Sequence, residues 1–236
     1  MALTLERPNP APSRVADRRR WLGLAVVLSA TFMALFDFFV VNVAAPSMQR
    51  DLHASSAAIE LVVGGYAFAY ASGMVTGGRL GDLYGHRRLF TIGMIAFAAA
   101  SALCGLAQTP EQLVGARLLQ GAAGAAMVPQ VLALISTMFA AEERSKALAW
   151  FGVTGGVGSV AGQVLGGMLL DANLFGLSWR PIFLVNVPVG VIAVVLALRL
   201  LPAETPARTS GLDPVGAIGI SAGLGLLLVP LALGQS

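Results

Sequence analysis

Seven long apolar runs, separated by short polar segments, dominate this sequence and leave few folds open to it. They lie at about 21–46, 57–77, 89–107, 112–139, 148–170, 181–201 and 214–233. Each is near or above the ~20 residues with which a helix crosses a bilayer core. Uninterrupted apolar stretches of this length are not soluble strands, and the alternation expected of a membrane barrel is missing. The expected fold is therefore all-α: a polytopic membrane protein of seven spans, with a first helix that stays uncleaved. A secretory signal would carry a shorter apolar stretch of 7–15 residues.

Composition agrees. Of 236 residues, 56% are hydrophobic and only 11% charged, against roughly 25% charged in soluble domains. The mean hydropathy is +0.78. The 28 glycines suit membrane helices that pack closely. The net charge of +3 does not point to nucleic acid, because the charges sit in short loops. One cysteine, Cys104, excludes an intrachain disulfide and a cysteine zinc site. His53 and His86 are too few for a metal cluster, so no cofactor is expected.

Basic residues set the expected orientation. With the N-terminus inside, Arg7, Arg14, Arg18, Arg19, Arg20, Arg79, Arg87, Arg88, Arg144, Lys146, Arg199 and Arg208 share the cytoplasmic side. Arg50 and Arg180 fall outside, and Arg117 lies within a span. Trp21, Trp150 and Trp179 fall at expected helix ends, where an aromatic belt lies. The expected layout is a cytoplasmic tail over 1–20, six spans over 21–201, a cytoplasmic linker over 202–213 and a seventh helix over 214–236. Gly78, Leu80 and Asp82 recur as Gly167, Leu169 and Asp171, 89 residues later. One copy ends a helix inside and the other ends one outside, as inverted three-plus-three repeats do in transporter halves.

Asp37 is the sharpest chemical signal. It stands roughly 24 Å into the first span at 1.5 Å per residue. A charge at membrane depth costs at least ~2.5–3.5 kcal/mol. Such a carboxylate is either a proton carrier and docking point for cations or a structural group bonded to a neighbouring helix. Arg117 is its natural partner, at matching depth in the fourth span; the other reading is an arginine snorkelling to the interface. Arg117, Gln120, Gly121 and Gly124 share one helix face. Tyr66 and Tyr70, with Phe38, Asn42, Gln120, Gln130 and Asn186, are candidate cavity-lining residues; aromatics there suit amphipathic cations. Gly158, Gly162 and Gly166 form a smooth packing face, and Gly152 and Gly156 a second pair.

These motifs resemble a known family. Gly78-Arg79-Leu80-Gly81-Asp82-Leu83-Tyr84-Gly85-His86-Arg87-Arg88 resembles the loop between helices 2 and 3 of the major facilitator superfamily. Phe36-Asp37 through Asn42 to Pro46, Arg117-Leu118-Leu119-Gln120-Gly121, and Trp179-Arg180 through Asn186 to Pro188 look like its fourteen-helix drug:proton antiporter branch. Gly158 to Gly162, Gly166 and Gly167 resemble the antiporter motif, with Gln163 where proline is usual. Leu83 stands where the loop motif often has arginine.

The resemblance implies proton-driven efflux of small molecules by alternating access, with no enzymatic activity. Asp37 and Arg117 would couple protons to an amphipathic or cationic substrate. Gly78, Asp82, Gly85, Arg87 and Arg88 would form a cytoplasmic gate latch, with Gly78 and Gly85 in tight turns and Asp82 docked on a helix N-terminus or an arginine. The chain looks like an N-terminal half, truncated, in an inner membrane. Its partners would be lipid, protons, and a missing C-terminal half or a second copy. The alternatives are a half-transporter working as a homodimer, and a non-transporting remnant or regulatory subunit.

Overall fold

The structure, a computed structural model, describes residues 14–202. All regular elements among the described residues are helical. α1 spans Arg14–Asp51, α2 Ser56–Tyr84, α3 His86–Leu106, α4 Pro110–Met138 and α5 Ala141–Ala172. A one-turn α6, Pro181–Leu184, leads into α7, Asn186–Leu200, after a break at Val185. Counting α6 and α7 as one, six helices are long and apolar enough to cross a membrane. The seventh run, 214–233, and the linker lie outside the described residues.

The helices overrun the apolar runs. α1 begins at Arg14, inside the stretch expected as a tail, and continues through Pro46 to Asp51. α2 continues to Tyr84, so Gly78–Tyr84 form its last turns rather than a loop. The link to α3 is the single residue Gly85, with φ 92° and ψ 130°, a conformation that only glycine adopts easily. Start signals are local. The Ser55 hydroxyl accepts from the Ala58 N–H, and the Thr109 hydroxyl from the Gln112 N–H ahead of α4, whose first residue is Pro110.

Two helix pairs close through glycine. On α5, Gly158 faces Phe32, Gly162 faces Phe36 and Phe39, and Gly166 faces Val40, all on α1. On α2, Gly73 and Gly77 meet Ala125 on α4, and Gly81 meets Gln130. Tyr66 backbone lies against Gly121 in the same interface. Residue numbers rise together across both interfaces, so each pair runs parallel. Gly73 and Gly77 correspond to Gly162 and Gly166 at the same 89-residue offset as the sequence repeat, and Ala125 corresponds to Phe36. The repeat is thus also a repeat of packing. Gly152, Gly156 and Gly167, expected as packing glycines, have open space where a side chain would stand.

Two apolar clusters fill the bundle. One gathers Leu24 to Ala34 with Phe90, Phe97, Met127, Ile135 and Ala197. The other gathers Phe36 to Leu52 with Cys104, Leu113, Trp179 and Phe183. Trp179 stands at a helix end, two residues ahead of α6, but is fully buried there rather than on the outer surface expected of a belt residue, and Trp150 is the tenth residue of α5 rather than at its end. The Trp179 indole donates to Asp51 at 3.0 Å, and Arg180 joins the same carboxylate oxygen at 2.6 Å. Arg180 also donates to the Ala107 carbonyl, tying α1, α3 and the α6 entry together. At the opposite end, Arg20 pairs with Glu143, and Arg19 donates to the Arg199 carbonyl.

Candidate functional site: a buried polar layer

Between the two apolar clusters lies a layer of buried polar side chains drawn from four long helices. Asp37, Ser101, Arg117 and Gln120 are wholly inaccessible, and Asn186 nearly so. Each stands at the point where its own helix passes from one apolar cluster to the other. α1 supplies Asp37, α3 Ser101, α4 Arg117 and Gln120, and α7 Asn186 at its first residue.

Asp37 is the hub. Arg117 forms an ion pair with its Oδ2. Gln120 Nε2 donates to its Oδ1 at 2.8 Å, and Asn186 Nδ2 donates to the same oxygen at 3.3 Å. Arg117 makes further hydrogen bonds. Its Nε donates to the Val62 carbonyl at 3.2 Å, and it also donates to Gln120 Oε1 at 2.7 Å. Its guanidinium stacks on the Tyr66 ring, 4.1 Å from the centroid. The Tyr66 hydroxyl donates to the Ala34 carbonyl, and Tyr70 stacks on Tyr66 at 6.0 Å. A buried charge is tolerable only when paired and hydrogen-bonded, and here both charges are.

The sequence pairing of Asp37 with Arg117 is therefore present, and Gln120, Tyr66 and Tyr70 surround it. Two other candidates are elsewhere. Asn42 is exposed and donates to the Phe38 carbonyl of its own helix. Gln130 is buried, but further along α4, toward Gly85. Its Nε2 donates to the Gly77 and Ala126 carbonyls, and its Oε1 meets His86 Nδ1 at 2.8 Å. His86 Nε2 lies 3.6 Å from Asp82. Asp82 therefore faces His86, the first residue of α3, one turn away in sequence. Gly78 sits within α2 with open space beside it, so it makes no turn; Gly81 makes the close approach instead. Arg87 donates to the Leu198 carbonyl, joining α3 to α7, and Arg88 is exposed.

Ser101 and Cys104 were not singled out as site residues by sequence. Ser101 Oγ accepts from Asn186 Nδ2 at 3.1 Å and donates to the Phe183 carbonyl at 2.9 Å. The Cys104 thiol points to Gln120 Oε1 at 3.4 Å. Their spacing of three on one helix was the available signal. Among the described residues no cluster of His, Cys, Asp and Glu could hold a metal ion.

Ionisable residues within membrane-spanning helices are rare and, as here, pair with one another in the bundle interior. The chain matches the Major Facilitator Superfamily over residues 27–233. The chain belongs to that superfamily. It is 46% identical to a probable actinorhodin transporter of Streptomyces coelicolor, over 98% of this chain and 41% of that protein. It is 39% identical to a puromycin resistance protein of Streptomyces alboniger, over 93% of this chain and 43% of that protein. This major facilitator chain thus spans about two fifths of the length of these relatives. In fold it is similar to a bacterial homologue of the human lysosomal transporter Spinster, in an inward-facing and occupied conformation. The TM-score is 0.68 at 20% identity, covering 81% of this chain and 45% of that one. It is a multi-pass membrane protein of a transporter family.

Proposed function

We propose that these residues form the N-terminal half of a proton-coupled exporter of amphipathic or cationic small molecules, of the fourteen-helix branch, working by alternating access. The observation that carries this reading is the Asp37–Arg117 pair, buried at mid-bundle and hydrogen-bonded. A paired carboxylate can take a proton only by loosening its hold on the arginine, which links proton uptake to movement of helices. Relatives named for antibiotic resistance and export support the substrate class.

Proton flux is the energy source in this reading, with no bound cofactor and no chemical conversion of the substrate. The basic residues gathered at the Gly85 end support a cytoplasmic N-terminus in the inner membrane. The second half would pack on α2 and α5, whose faces are far less buried than those of α1, α3 and α4. A second copy of this chain is the other occupant of that surface. His86, Asp82 and Gln130 would belong to the cytoplasmic gate.

The test is uptake of a fluorescent amphipathic cation into everted membrane vesicles carrying the full-length transporter. Wild type should accumulate dye in the lumen when the vesicle interior is made acidic. Asp37→Asn should bind dye yet lose gradient-driven transport. Undiminished transport by Asp37→Asn would remove Asp37 from the coupling mechanism.

A further inference from the structure

Every polar neighbour of the Asp37 carboxylate is a donor. Arg117, Gln120 Nε2 and Asn186 Nδ2 all give hydrogen bonds to it. The Tyr66 hydroxyl is committed to the Ala34 carbonyl, and the Cys104 thiol to Gln120. α5 meets this stretch of α1 through Gly158 and Gly162, which bring no polar side chain. The arrangement therefore suits an ionised Asp37. A proton added to that carboxylate needs an acceptor, and none is offered.

Only one of the three donors is able to turn. Arginine carries no acceptor atom. Gln120 is locked, because its Oε1 already accepts from Arg117 and Cys104; reversed, its amide N–H groups would face the guanidinium. Asn186 is different. Its Nδ2 bridges two oxygens, Asp37 Oδ1 and Ser101 Oγ. Reversed, its Oδ1 would accept from a protonated Asp37 and from the Ser101 hydroxyl. Ser101 would then withdraw its proton from the Phe183 carbonyl, two residues before the break between α6 and α7.

We propose that the Asn186 amide reads the protonation of Asp37 by reversing its orientation, and that Ser101 passes the change to the α6–α7 break. Asn186 is a positioning residue in this scheme. It carries no proton itself, and the proton added to Asp37 comes from water. This rests on the reading of Asp37 as the proton carrier, and the two are separable by experiment.

The measurement is pH-difference infrared spectroscopy on the purified full-length transporter in lipid vesicles, with carbon-13 asparagine incorporated. Acidification should grow a carboxylic-acid carbonyl component that is absent from Asp37→Asn, over a background that the other carboxylates contribute to both. The labelled asparagine carbonyl band should shift with the same midpoint, and that shift should be lost in both Asp37→Asn and Asn186→Leu. Should Asn186→Leu fail to fold, Asn186→Gln, which keeps an amide but removes the labelled carbonyl, assigns the band. An asparagine band that stays fixed while the Asp37 band titrates overturns the relay and leaves the proton-carrier reading standing. Identical acid bands in wild type and Asp37→Asn overturn the proton-carrier reading and the relay with it.

Discussion

His86 on α3 and Gln130 on α4 share a 2.8 Å hydrogen bond, and that bond occupies the space a side chain on Gly81 would need. Three helices meet at this point with no slack. Gly81→Ala should therefore displace Gln130 from His86 and lower stability by about 1–3 kcal/mol, the usual range for overpacking. Thermal unfolding in detergent, followed by circular dichroism, measures it. Gly78→Ala, one turn back and facing open space, should leave the midpoint unchanged or slightly raised.

Removing one member of the buried ion pair strands the other. Arg117→Leu and Asp37→Leu should each cost roughly 3–5 kcal/mol. The double substitution should cost much less than the two together, because no charge is left unpaired. A double-mutant cycle on unfolding midpoints gives the coupling. Additive effects would mean that the two side chains do not hold each other.

The glycine stripe on α5 should be position-specific. Gly162→Leu would drive a side chain into the Phe36 backbone and part α5 from α1, whereas Gly167→Leu and Gly152→Leu point into open space. The first should abolish folding or lower the midpoint sharply; the other two should be near neutral. Expression level and monodispersity after solubilisation separate the cases.

Trp179→Phe keeps the buried ring but removes the indole donor to Asp51, leaving that carboxylate to Arg180. About 1 kcal/mol of stability should go with the lost bond. Trp150→Phe, on an exposed face, should stay within about 0.5 kcal/mol of wild type. Chemical unfolding of the two variants in parallel is sufficient.

Six spans could be read from apolar runs because lipid demands them. Their ends could not, since helices continue past the hydrocarbon on polar residues: Arg79 to Tyr84 extend α2, and Ala141 to Lys146 open α5. Asp37 and Arg117 could be matched by depth, because two charges in an apolar bundle have few other partners. Ser101 was invisible for the opposite reason: a small hydroxyl in an apolar helix ordinarily bonds its own backbone and means nothing. The distance of Gln130 from Asp37 along α4 was not legible, because periodicity gives a face but not a level along the axis. The glycines of α2 were hidden by the motif that overlaps them. Gly73, Gly77 and Gly81 keep a strict four-residue period, yet Gly78 and Gly85 drew the reading toward a loop.

α2 and α3 are joined by Gly85 alone, so the two helices cannot tilt independently. A connection of five or six residues would absorb a swing of one helix without moving the next. Here a change in the pitch of α2 reaches α3 across one backbone unit, and Arg87, bonded to the end of α7, carries it a helix further. The junction leaves no spare chain between the two helices, so the level at which one ends sets the level at which the next begins.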